Sequence, residues 1–184
     1  MTDYFALLEQ PRSPWLDPEE LKQSFHAKTR HAHPDARPDD NSDAAFAQLN
    51  EAYQVLREPK RRLHHFLTLK GEPAAQRAAA IPKEVDELFP AVARLTNEAD
   101  NVLQKVNGSS NALSRSLLRG EVVRTRADLE QTLEHLQQLH THAEDELRSA
   151  DADATDVLQD LYLRFSYLAR WIAELEEKLV RLAA

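Results

Sequence analysis

The stretch HAHPDARPDDNSDAAF, His31–Phe46, ends one helix-forming run and opens another. Ahead of it, LDPEELKQSFHAKTRHAH (16–33) places Asp17 to cap, Pro18 at the first helical position and two acids in the first turn. Its last turns carry Lys28, Arg30 and His31, the sign that suits the negative end of a helix dipole, and Pro34 stops it. Behind the stretch, SDAAFAQLNEAYQVLRE (42–58) spaces Phe46, Leu49, Ala52, Tyr53 and Leu56 three and four apart, the period of a one-sided helix. Further out, DYFALLEQ (3–10) gathers Tyr4, Phe5, Leu7 and Leu8 into a short helix that ends at Pro11. Pro59 breaks the pattern on the other side, and KRRLHHFLTL (60–69) makes one more short helix before Gly71.

Beyond Gly71 the texture changes. GEPAAQRAAAIP (71–82) reads as a linker, with prolines flanking small residues. Longer helices follow. Leu88, Val92, Leu95, Ala99, Val102 and Val106 alternate steps of four and three, as do Leu129, Leu133, Leu136, His140, Ala143 and Leu147. Leu161, Phe165, Leu168, Ile172, Leu175, Leu179 and Leu182 make a third stripe. Three such stripes, joined by NGSSNALSRSLLRG (107–120, long enough to be helical in part) and SADADAT (149–155), predict an antiparallel three-helix bundle. The expected organisation is all-α, with a four-helix domain over residues 1–72, a linker over 73–82 and the bundle over 83–184.

Composition narrows the function classes. Only three glycines occur in 184 residues, and sheets and phosphate-cradling loops both consume glycine. Without cysteine there are no disulfides, thiolate zinc sites or cysteine-held iron–sulfur clusters, and a reducing cytosol suits the chain. No run approaches the roughly 18 apolar residues of a membrane span, and Met1–Leu8 lacks the basic and apolar regions of a signal peptide. A net charge of −8 argues against nucleic-acid binding. Residues 1–73 carry 10 basic and 12 acidic side chains, so the acidity lies mostly in the later residues.

The tripeptide His33-Pro34-Asp35 arises by chance in about one percent of chains of this size. Together with the basic helix before it and LNEAYQVLREPKRR after it, residues 3–70 resemble a J domain, the activating module of DnaJ-type co-chaperones. The resemblance implies a four-helix fold with the tripeptide between the second and third helices. It also implies docking on a DnaK- or HscA-type chaperone and stimulation of that partner's ATP hydrolysis. His33, Pro34 and Asp35 would make the contact, with Lys22, Lys28 and Arg30 steering the approach to an acidic surface. ATP, magnesium and the catalytic groups would belong to the partner. The chain itself would be no enzyme and hold no cofactor. Two departures from the family pattern are Ala32, where an aromatic is usual, and Lys28, where an apolar residue is common and the stem would pack while the charge snorkels out.

A narrower resemblance is to HscB, the J-protein of iron–sulfur cluster delivery. It rests on the opening DYFALLEQPRSPWLD, on a J domain followed directly by long helices, and on the closing LRFSYLARWIAELEEKL. It implies that the first helix of the bundle binds a cluster-scaffold protein, through IPKEVDELFPAV (81–92). Glu84, Glu87 and Leu88 fit the family motif there; Pro82 and Lys83 replace apolar contacts, and Pro90 and Arg94 replace acids. The candidate client face is Glu84, Val85, Glu87, Leu88, Phe89 and Val92, provided its apolar members are left uncovered. The alternatives for the bundle are an adaptor for a different client and self-association. The expected location is cytoplasmic.

Blander readings stand beside these. A metal site at His31, His33, Asp35 and Asp39 fails because side chains two apart at a helix end do not converge. His135, His140 and His142 are spread around their helix. His64 and His65, beside Lys60, Arg61 and Arg62, read as a basic surface. Ser109, Ser110, Ser114 and Ser116 read as loop residues, and Trp15 and Trp171 as bridges or seals at junctions between elements.

Overall fold

The computed structural model describes residues 2–32, 40–72, 81–109 and 111–183, with main chain only at positions 31, 32, 40–43, 112 and 115. Every regular element among these residues is helical: α1 (Tyr4–Leu7), α2 (Pro18–Ala32), α3 (Asp40–Arg57), α4 (Pro59–Leu69), α5 (Lys83–Gly108), α6 (Ala112–Ser149) and α7 (Thr155–Ala183). The all-α expectation of four short helices and three long ones therefore holds. The expected linker falls almost wholly outside the described residues, apart from Ile81 and Pro82.

Two compact units form. The first takes in Met1–Ala79 and Glu144–Tyr162, the second Ala80–Ala143 and Leu163–Ala184. In the first, Phe5, Leu8, Leu21, Leu56, Leu63 and Leu67 are essentially sealed from solvent, and so are Leu147, Leu158 and Leu161 from the end of α6 and the start of α7. Phe25 of α2 stacks on Tyr53 of α3 with ring centres 4.4 Å apart. Thr29 and Arg30 lie beside Phe46 and Asn50 around one groove, so α2 and α3 run antiparallel.

Caps explain where these helices begin and end. Asp17 accepts the main-chain N–H groups of Glu19 and Glu20 at 2.9 and 3.1 Å, as the sequence predicts. Asp3 does the same for α1, accepting from Phe5 and Ala6. α4 closes on Gly71, whose φ of 79° places it in the left-handed region. Gly71 N–H donates to the Thr68 carbonyl and Glu72 N–H to the Leu67 carbonyl, the paired closure that favours glycine. α1 ends with the same pairing, Glu9 to Ala6 and Gln10 to Phe5, but with Glu9 at φ 51° where glycine would be unstrained.

The second unit is a three-helix arrangement. Glu84 pairs with Arg164 at 3.1 Å, Phe89 meets Tyr167 and Trp171 edge-on, and Asp100 pairs with Lys178. These contacts advance along both helices together, so α5 and α7 are parallel. Lys105 reaches Glu121 at 2.5 Å near the start of α6, and His140 meets Phe165 further along it. α6 is therefore antiparallel to both, and its core contains Leu95, Val102, Leu129, Leu136, Leu168 and Leu175.

Two local expectations are corrected. Ser114 and Ser116 belong to α6, which begins at Ala112 because the Asn111 side chain accepts the Ser114 N–H at 2.8 Å. Gly120 continues that helix, an interior glycine costing about 1 kcal/mol against alanine. The basic surface read at residues 60–65 loses two members: Arg62 and His65 are each 5 % exposed. Arg62 is buried because its guanidinium donates to the carbonyls of Pro14 at 2.8 Å and Leu56 at 2.7 Å. Burial, offset in part by Glu144 and Glu58, lowers its pKa to about 10, so it stays charged. His65 is buried because its Nε2 accepts the Tyr4 N–H at 3.1 Å and its ring stacks on Tyr4 and Phe5. Trp171 seals a core, and Trp15 bridges to α6, half-buried under the Arg148 guanidinium, 4.8 Å from its ring centre.

Candidate functional site

α2 is the element that carries charge toward the His33-Pro34-Asp35 tripeptide in the sequence. Its inner face is made by Leu21 and Phe25. After Glu20 it has no acid, so beyond its first turn the helix itself carries only basic charge. Lys22 and Arg30 are both exposed and stand eight residues apart, just over two turns, so they share one face. His26 lies between them, also exposed. Sequence reading missed His26, although its four-residue spacing from both cations was there to be seen. Lys22 is held only loosely by Glu19, at 3.8 Å with both side chains largely solvated.

Lys28 stands apart from that stripe. It projects toward the inner edge of the helix, its side chain only a third exposed, and pairs with Glu9 just beyond α1. The stem packs and the charge reaches outward, as expected of a lysine in an apolar position. Its charge serves an internal pair. An open groove of about 830 Å³ runs between α2 and α3, lined by Phe25, His26, Thr29, Arg30, Phe46 and Asn50. His33, Pro34 and Asp35 themselves lie outside the described residues, as does Asp39.

The candidate client residues on α5 divide by burial. Val85 and Val92 are 2 % and 3 % exposed and belong to the core of the second unit. Leu88 and Phe89 are half-buried against the same core. The condition that these apolar groups be left uncovered is therefore not met for the two valines. Glu84 is engaged by the buried Arg164, and Glu87 is solvated with Lys83 3.8 Å away. Pro90 and Arg94 are exposed, Arg94 pairing with Glu98 one turn on. What this face offers is a groove of about 260 Å³ between α5 and α7, floored by Phe89, Val92 and Trp171 and rimmed by Arg170 and Glu174.

Among the described residues no three histidine, aspartate or glutamate side chains gather as a metal would require. Among the same residues no helix is long and apolar enough to cross a membrane.

Comparison with known proteins bears on both units. Residues 3–65 match the family model of the DnaJ domain. Chaperone protein DnaJ 2 of Streptomyces coelicolor is 36% identical over 77 residues, 42% of this chain and 19% of that protein. DnaJ of Synechococcus elongatus is 39% identical over 64 residues, 34% of this chain and 22% of that one. The chain thus spans about a fifth of the length of these relatives. Among solved structures, HscB from Vibrio cholerae aligns over 98% of this chain and 99% of its own, with a TM-score of 0.53 and 21% identity. Human HscB aligns over 97% of this chain and 82% of its own, with a TM-score of 0.52 and 14% identity. At such identities the likeness is one of fold. Residues 3–65 are a DnaJ domain, carried in a chain whose fold is that of the HscB co-chaperones.

Proposed function

We propose that the chain is a co-chaperone that docks on a DnaK- or HscA-type chaperone and accelerates that partner's ATP hydrolysis. The observation that carries this reading is the solvent-facing basic stripe Lys22, His26 and Arg30, on the helix that leads into His33-Pro34-Asp35 within a DnaJ domain. Long-range attraction by such a stripe raises the encounter rate with an acidic surface and falls with salt. Asp35 then makes charge-assisted bonds to a cationic network on the partner, favouring its hydrolysis-competent state. Lys28 contributes by fixing α2 to Glu9. ATP and magnesium stay with the partner, and this chain is an activator that works without a cofactor, in the cytoplasm. Residues 1–72 form the activating domain, 73–82 the linker and 83–184 the client-presenting bundle.

The test is Asp35→Asn. Steady-state ATPase assays with the partner are expected to lose stimulation while circular dichroism stays unchanged. Undiminished stimulation by a folded variant overturns the reading.

The client in this proposal is an iron–sulfur scaffold protein, bound through the exposed side of α5 around Glu87, Leu88 and Phe89. A second reading, an adaptor for a different client, is favoured by one specific observation. Val85 and Val92 are withdrawn into the core while Lys83 and Arg94 face solvent. Titration with a purified scaffold protein separates the two. Binding lost on Phe89→Ala supports the scaffold, and no binding to the intact chain supports the adaptor.

A further inference from the structure

A second groove, of about 300 Å³, lies in the first unit on α4 and shares no lining residue with the groove beside α2. Lys60, Arg61 and His64 line one side of it, and Tyr4, Val55 and Tyr162 help close the rest. The three basic residues come from adjacent turns of one helix and present a single rim. Tyr162 belongs to the α7 segment of the same unit, its ring centre 6.0 Å from that of His64.

Charge bookkeeping at this rim is incomplete. Glu51 accepts the hydroxyl of Tyr4, and Glu58 lies 3.9 Å from Arg61. Arg61 also donates to the Gln54 carbonyl at 3.4 Å. Lys60 has no ion pair or hydrogen bond among the described residues. The only acid at the positive end of α4 among the described residues is Glu58 at the N-cap, which makes no side-chain capping bond. Lys60 and Arg61 therefore share one loosely held carboxylate at this helix end, beside the side chains of Val55 and the two tyrosines.

We propose that this groove docks an acidic peptide segment of a partner protein. Its carboxylates would pair with Lys60, Arg61 and His64, and an adjacent apolar side chain would rest over Val55 and the tyrosine rings. A free oxyanion would use only the rim; a peptide uses rim and floor together, and the groove's volume suits a dipeptide's worth of side chains. The inference does not depend on how α2 meets a chaperone.

The probe is a fluorescein-labelled eight-residue peptide alternating glutamate and leucine, titrated against the full chain and followed by anisotropy. Saturable binding is expected, weakened at least tenfold in K60E/R61E and in the milder K60Q/R61Q, and weakened by raising salt. Amide shifts on binding are expected to map to Tyr4, Val55, His64 and Tyr162. Both variants should fold by circular dichroism and still stimulate the partner ATPase. Equal binding of the glutamine–leucine counterpart overturns the proposal, as does unchanged binding by either folded variant. Complete displacement by 10 mM inorganic phosphate (roughly physiological ionic strength held constant) also overturns it, since the site would then be a simple oxyanion site. Loss of ATPase stimulation in the folded glutamine variant overturns it too, by assigning the rim to chaperone docking.

Discussion

Arg62 is the residue whose replacement tests most sharply how the DnaJ domain is held together. Its guanidinium is nearly inaccessible and ties the Pro14 carbonyl, just before α2, to the Leu56 carbonyl near the end of α3. Keeping it charged there is unfavourable: the fall from 12.5 to about 10 corresponds to roughly 3 kcal/mol. Each charge-assisted bond returns about 1.5–3 kcal/mol, so the pair returns roughly 3–6. R62M relieves the first figure and forfeits the second, and it also strands two buried carbonyls without donors. A net destabilisation of about 2–3 kcal/mol follows, toward the upper end of that difference. R62K loses nearly as much, because one ammonium cannot span both carbonyls. The two tryptophans fall in different compact units, so 5-fluorotryptophan labelling provides one fluorine resonance for each. In urea titrations of R62M the Trp15 resonance should move to a lower midpoint. A midpoint unchanged or raised would show that the buried cation is a net burden, as some buried ion pairs are, and would refute the role given to its hydrogen bonds.

Two further outcomes follow from the same unit. Burial lowers the pKa of His65 below 6.5, against an opposing pull from Asp3, while Nε2 must stay unprotonated to accept from Tyr4. Between the folded and the unfolded pKa the unfolded chain binds more protons, so stability falls as pH drops below about 6.5 and levels off below the folded value. Urea midpoints at pH 7.5 and 5.0 should differ in the parent and converge in H65Q; an equal difference in both would reject His65 as the source. Asp3 acts in a separate, lower window. Its partial burial raises the carboxyl pKa, but the bonds from Ala6, Arg12 and Phe5 outweigh this and leave it lowered, so that its contribution fades only in acid below about 4. At Glu9, the left-handed φ predicts that Glu→Gly stabilises by about 1 kcal/mol once the pair with Lys28 is removed. Thermal melts of K28A and K28A/E9G compare the two directly, and a lower Tm in the double variant would count against backbone strain at this turn.

Much of the architecture was legible from local patterning. Asp17 and Pro18 mark a helix start that the structure reproduces, and Pro59, read as a break, falls between α3 and the body of α4 as its first residue, because caps and proline act within a few residues of themselves. The apolar stripe of α5 and most of those of α6 and α7 supply the core of the second unit, while Leu147 and Leu161 at the ends of the latter two are buried in the first. The length of the 107–120 segment allows helix in part but does not locate its start, which the Asn111 cap determines. On α2, Lys22 and Arg30 share a solvent face as a four-residue periodicity dictates, and Lys28 departs from it for the same reason.

What the sequence by itself determined, then, is the helical class, the order and approximate extent of the elements, and the presence of the DnaJ tripeptide beside a basic helix. What only the tertiary structure decided is which face each neighbour covers. A period of 3.6 shows that Val85 and Val92 lie on one side of α5, but the helices that bury that side are distant in sequence. Arg62 and His65 looked like surface bases because their partners, the Pro14 carbonyl and the Tyr4 N–H, lie 48 and 61 positions away. The segment from Glu144 to Tyr162 joins the first unit for a comparable reason: Arg148 over Trp15 and Lys70 on Asp153 are contacts between residues that no local window brings together. Helix period and capping are encoded locally, whereas burial depends on long-range packing, and a buried polar group reads as exposed until its main-chain partner has been located in space.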